Sequence, residues 1–132
     1  MTVTDDLGDW VGDAGIVAAA VEGVRALNAR YRGDLEDMFF LFHRSRKWNP
    51  SQGVWMGWER KRGKLEDLNR LLRGASNGAF SLVVGETSVL PGVRYVITLD
   101  SDTLLPMGAA RRLVGTMAHP LNRPRFDPAV GR

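Results

Sequence analysis

The chain has 132 residues, 44% of them hydrophobic and 25% charged, with a net charge of +3 and no cysteine. That length suits one domain with a core of its own and is short for a complete two-sided enzyme, while the lack of cysteine excludes a disulfide framework or a thiolate metal site. No apolar run approaches the ~18–20 residues of a membrane span and no basic-then-apolar leader opens the chain, so it is expected to be soluble by itself.

The first dozen residues, rich in Asp and Gly, read as irregular with a short strand remnant at residues 2–7. From Asp13 a helix is predicted, because Val17, Ala20, Val21, Val24, Leu27 and Tyr31 recur at three- and four-residue steps, with Asp13 as its N-cap and Gly33 as its stop. Residues 38–42, Met-Phe-Phe-Leu-Phe, form a compact aromatic run that predicts a buried strand. A helix followed by a strand begins an α/β alternation.

Residues 43–58 are the longest irregular segment and carry Trp48, Trp55 and Trp58. Disordered segments are poor in aromatics, so this loop is expected to be ordered, its tryptophans either pinned to the core or stacking on a base or sugar. His43 and, further on, His119 each lack spaced partners and read as hydrogen-bonded structural residues in preference to metal ligands.

Leu65, Leu68, Leu71 and Leu72 lie on one stripe, predicting an amphipathic helix over residues 59–73 that Gly74 ends. Its first turns hold Arg60, Lys61, Arg62 and Lys64, where the helix dipole is positive and disfavours cations. At 100° per residue Lys61 and Lys64 fall on or beside the leucine stripe. Either these cations form a solvated basic face with snorkelling lysines, or an anion such as phosphate shares the helix start with them. A basic cluster beside a diphosphate explains the charge over residues 44–73 more economically than a nucleic-acid surface does.

Residues 80–84 make another short apolar run, and residues 89–92 a turn into Val-Arg-Tyr-Val-Ile-Thr-Leu-Asp-Ser-Asp-Thr, residues 93–103. Val93, Tyr95, Val96, Ile97 and Leu99 predict a strand buried on both faces of a mostly parallel sheet. Asp100 and Asp102 follow where it stops, and the period of two aims both carboxylates the same way, at the sheet end where α/β folds bind ligands. They are either turn acids that start the next helix or a pair held ionised by a hard cation, Mg²⁺ or Mn²⁺, that also carries phosphate oxygens. After Pro106 a helix is predicted with Ala109, Ala110, Leu113, Val114 and Met117 inward and Arg111 and Arg112 outward; from His119 on, prolines indicate a loop. The fold class is therefore α/β, as one domain over residues 1–132.

Several stretches carry a resemblance that composition could not supply. Phe-Phe-Leu-Phe-His-Arg (39–44), Trp-Asn-Pro (48–50), Gly-Val-Trp-Met-Gly-Trp-Glu-Arg-Lys-Arg-Gly-Lys-Leu-Glu-Asp-Leu-Asn-Arg (53–70), the run from Leu90 to Thr103, and Met-Ala-His-Pro-Leu-Asn-Arg-Pro (117–124) resemble the glycosyltransferase part of the bacterial cyclic β-1,2-glucan synthases. The likeness implies a partial GT-A fold, Rossmann-like with a mostly parallel sheet, that uses UDP-glucose and Mg²⁺ or Mn²⁺. By position, Asp100-Ser101-Asp102 resembles the Asp-X-Asp metal and diphosphate motif. The stretch from Lys64 to Asn69 resembles the Lys-X-X-X-Leu-Asn helix start, making Lys64 the foremost nucleotide contact, with Lys61 and Arg60 next and Asp9 in the place of the acid near uracil.

Inverting transfer needs a carboxylate base to deprotonate the acceptor, and the resemblance places that base downstream of Arg132, so no catalytic residue is assigned within the chain. The resemblance thus implies an excerpt: most of the donor-binding part of a transferase at the cytoplasmic face of the inner membrane, acting on a growing glucan acceptor. Two other readings stand beside it. The fragment could be non-catalytic, binding a nucleotide or self-associating through an exposed sheet edge. Haloacid-dehalogenase-like phosphatases also end an apolar strand in Asp-X-Asp, but they want Thr or Val two positions after the second acid, where this chain has Leu104.

Overall fold

The structure is a computed structural model that describes residues 2–5 and 13–31, 37–76, 78–100, 102–122 and 127–131. The chain divides into two compact units, residues 1–93 and 94–132. In the first, β1 (Thr2–Asp5), α1 (Asp13–Tyr31), β2 (Leu41–Arg44), β3 (Lys47–Asn49), β4 (Val54–Met56), α2 (Arg60–Leu72) and β5 (Leu82–Val84) follow in order, then a 3₁₀ turn over Thr87–Gly92. The second contains α3 (Ala109–Ala118) and a short 3₁₀ turn over Pro120–Asn122.

A three-stranded sheet of order β1-β2-β5 forms the centre of the first unit, and every residue of its middle strand β2 is buried. Phe40 and Phe42, two residues apart and therefore on one face, join Leu68 of α2, Phe80 and Leu90 in the hydrophobic core, with Leu71, Leu72, Val83 and Val89 packed against it. The Phe42 and Phe80 rings lie 5.2 Å apart. The leucine stripe of α2 is thus what seats that helix on the sheet.

The class is mixed α/β, but the sheet is not mostly parallel. β1 runs parallel to β2, whereas β5 runs antiparallel to it with Phe42 opposite Val83. The reason is local: Phe80 packs on Phe42, and the Ser81 N–H donates to the His43 carbonyl at 2.8 Å, which sets the chain running back along β2. Gly85, at φ +107°, ends that return strand; a Cβ there would sit 2.6 Å from Phe40 Cδ1.

The strand predicted at 38–42 begins at Leu41. Asn28 of α1 explains the shift: its Oδ1 accepts from the Met38 and Phe39 N–H groups at 3.1 and 2.8 Å, and its Nδ2 donates to the Phe39 carbonyl at 2.9 Å. Backbone groups occupied by a side chain are withdrawn from the ladder. Residues 43–58, expected to be irregular, contain the antiparallel β3–β4 hairpin with Trp48 directly opposite Trp55. Its turn closes through Gly53 N–H to the Asn49 carbonyl at 2.8 Å, with Gly53 at φ +65°.

A larger correction concerns residues 93–99. They form no strand, and their apolar side chains are exposed, from 37% at Ile97 to 48% at Val96. A near-continuous apolar, β-branched run records that such a segment suits a doubly covered position; a strand additionally needs ladder partners on its edges. Among the described residues this stretch is paired in neither sheet. In the same unit α3 begins after Gly108 at φ +76° and buries no residue, leaving Leu113 and Met117 exposed. His119 takes the structural role expected of it, its Nδ1 accepting from the Leu121 N–H at 3.3 Å.

Candidate functional site

The start of α2 is built around a buried arginine. Arg44, the last residue of β2, donates from Nη1 to Asp67 Oδ2 at 2.8 Å, with side chains only 4% and 13% exposed. Its Nη2 donates to the carbonyls of Trp58 and Arg60 at 3.2 and 3.1 Å. One guanidinium therefore ties the strand end to the middle of α2 and to the backbone that enters it.

That entry is unusual. Glu59 and Arg60 both have left-handed backbone, at φ 53° and 46°, a conformation L-residues with side chains adopt only when the surroundings enforce it. Gly63 is part of the enforcement: a Cβ on it would lie 2.0 Å from the Trp58 carbonyl oxygen and 2.8 Å from Trp58 Cε3. The Gly63 N–H donates to the Glu59 carbonyl at 3.1 Å, and the Arg62 side chain pairs with Glu59 at 3.2 Å. No acidic side chain lies in the first turn of α2.

This frame presents Arg60 and Lys61 exposed and holds Lys64 half-buried. Lys64 thus sits where the stripe places it, whereas Lys61 turns to the surface instead of the sheet. In the second unit Asp100 and Asp102 are both exposed and flank one turn, closed by the Thr103 N–H donating to the Asp100 carbonyl at 3.0 Å. The basic trio belongs to the first unit and the acid pair to the second. Asp9 lies outside the described residues. Among the described residues, no group of three or more His, Cys, Asp or Glu could hold a metal by itself.

Two features were not assigned from sequence. The Arg44–Asp67 pair is one: Asp67 lies three residues after Lys64 and four before Leu71, so it shares their inward face, and an acid there signals a buried cation. The other is a cavity of about 550 Å³ between the β3–β4 hairpin and the start of α2, bounded by Trp48 and Trp58. The tryptophans signalled it, but their grouping depends on the Trp48–Trp55 pairing, with ring centroids 6.0 Å apart, edge to face.

The chain is 46% identical over 130 residues to the cyclic beta-(1,2)-glucan synthase NdvB of Rhizobium meliloti (strain 1021), a match covering 92% of this chain and 4% of that protein. The chain is a homologue of a segment of a cyclic β-1,2-glucan synthase. It spans a small part of that relative's length, and the match takes in nearly all of the chain, so both the acid pair and the basic helix start lie within the matched stretch. No protein-family model matches the chain, and no solved structure does. No helix among the described residues is long and apolar enough to cross a membrane.

Proposed function

We propose that this chain is the nucleotide-sugar-binding part of a glucosyltransferase that builds β-1,2-glucan from UDP-glucose, within a GT-A-type domain. The observation that carries the reading is the 46% identity to a cyclic beta-(1,2)-glucan synthase over a chain that holds both an Asp-X-Asp turn and an acid-free, basic helix start. Exposed carboxylates one residue apart are hard oxygen donors of the kind Mg²⁺ or Mn²⁺ prefers, so the donor set fits such an ion shared with a diphosphate. When bound, the ion would neutralise charge developing on the departing UDP.

The chain's own residues bind and orient in this scheme. Asp100 and Asp102 would hold the metal–diphosphate group. Lys64, Lys61 and Arg60 would contribute positive charge to the nucleotide, with Lys64 held by the packing of α2. In the full-length synthase, Asp102→Asn should abolish glucan formation by radiolabelled transfer from UDP-glucose; wild-type product in that variant would refute the assignment.

The exposure of residues 93–99 favours a second reading for the isolated chain, self-association through this apolar segment. An apolar segment outside both sheets offers its N–H and C=O groups to another copy. The two readings are compatible, since one concerns the acids and the other the run before them.

A further inference from the structure

The cavity between the hairpin and α2 meets the donor site proposed above at Arg60 alone, and its other lining residues are not used there. Its walls are two aromatic faces, Trp48 and Trp58, and its polar groups are Lys47, Gln52, Glu59 and Arg60. Its volume of about 550 Å³ lies within the ~300–1,000 Å³ of ligand clefts. Both tryptophans remain about half exposed, as does Trp55.

The aromatic walls are fixed before any ligand arrives. Trp48 is held edge to face against Trp55 across the ladder. The Trp58 backbone is held by Arg44 through its carbonyl, and Gly63 makes room for that carbonyl. Asn49 fixes the hairpin turn, its Oδ1 accepting from the Ser51 N–H and Oγ–H at 3.1 and 2.6 Å. Ordered, preformed aromatic surfaces lose little conformational entropy on binding.

We propose that this cavity is a binding subsite for a stretch of β-glucan, with Trp48 and Trp58 stacking on sugar rings and Gln52 and Glu59 hydrogen-bonding their hydroxyls. A pyranose presents flat C–H faces and an equatorial belt of hydroxyls that both donate and accept. The lining answers both features: aromatic planes for the faces, an amide that donates and accepts, a guanidinium that donates and a carboxylate that accepts. Cations and a carboxylate together suit a neutral polyhydroxylated ligand better than a phosphate. The cavity is open to solvent, as a site for a segment of polymer must be.

The choice of glucan rests on the proposed function, and the test separates the two. The 132-residue chain is titrated with linear β-1,2-gluco-oligosaccharide and, separately, with UDP plus Mn²⁺, following tryptophan fluorescence and calorimetric heat. Saturable oligosaccharide binding is expected, weakened about tenfold in Trp48→Ala and in Trp58→Ala and several-fold in Gln52→Ala, with Asp102→Asn binding it as wild type does. Gln52 is an exposed turn residue, so its variant keeps the Trp48–Trp55 pair and tests the site without unfolding the hairpin. No saturable binding up to about 10 mM, which corresponds to less than ~2.7 kcal/mol of affinity, overturns the subsite. So does displacement of the oligosaccharide by UDP, which would make the cavity a nucleotide site, or binding indifferent to all three cavity substitutions. Loss of UDP binding with oligosaccharide binding intact counts against the donor reading alone.

Discussion

Arg44 and Asp67, 23 positions apart, meet at 2.8 Å as a buried pair, and the same guanidinium reaches the carbonyls of Trp58 and Arg60. The central strand, the core-facing side of α2 and the left-handed entry to that helix are thereby joined through one side chain. The cationic helix start and the aromatic cavity both hang on this junction.

Removing one partner of a buried pair leaves the other charged and desolvated. Arg44→Met should therefore destabilise the first unit by about 3–5 kcal/mol, read as a fall in the urea midpoint. The double variant Arg44→Met/Asp67→Leu should recover much of that loss, because neither charge is then stranded. A loss below about 1 kcal/mol in the single variant would show that the pair does not organise the fold.

Gly63→Ala should be costly although alanine favours helices. The added methyl meets the Trp58 carbonyl, which is backbone and cannot swing away. A cost of about 1–3 kcal/mol is expected in thermal unfolding, with a changed Trp58 emission. Gly23→Ala in α1, where nothing lies within 4 Å of the added atom, is the control and should be neutral or stabilising.

Asn28→Ala should cost about 2–3 kcal/mol by denaturant titration, since it strands the Met38 and Phe39 N–H groups and the Phe39 carbonyl. Asn28→Asp should keep the two accepted bonds and lose the donated one, and so fall between the variant and wild type.

If residues 93–99 self-associate, sedimentation velocity will show a concentration-dependent shift in the wild-type chain that Val96→Lys reduces. Unfolding of the first unit should change by no more than about 0.5 kcal/mol, as is usual for an exposed position. A wild type that stays monomeric at all concentrations contradicts association through this segment.

The sequence was most legible where pattern and packing agree. The leucine stripe and the stop at Gly74 predict α2 to within one residue at each end, and Gly74 closes it at φ +90° with its N–H on the Leu71 carbonyl at 2.9 Å. The β3–β4 hairpin was hidden because its strands have three residues each, too few to show a period of two. The offset of β2 came from Asn28, a side chain distant in sequence that takes over backbone bonds. Residues 93–99 failed for another reason: a near-continuous apolar run reports that a segment suits burial and carries no information on which strands pair with it. For the site, residue types pointed to the acids and the basic turn, while Arg44, Gly63 and the Trp48–Trp55 pairing became visible only through tertiary contacts.

Asp100 and Asp102 are proposed to hold a metal-bound nucleotide diphosphate. Calorimetric titration of UDP into the wild-type chain and into Asp102→Asn, each with and without Mn²⁺, tests it most directly. Binding in the wild type should require Mn²⁺ and be lost in Asp102→Asn. Absence of binding, or binding that is indifferent to the metal and to the substitution, would contradict it.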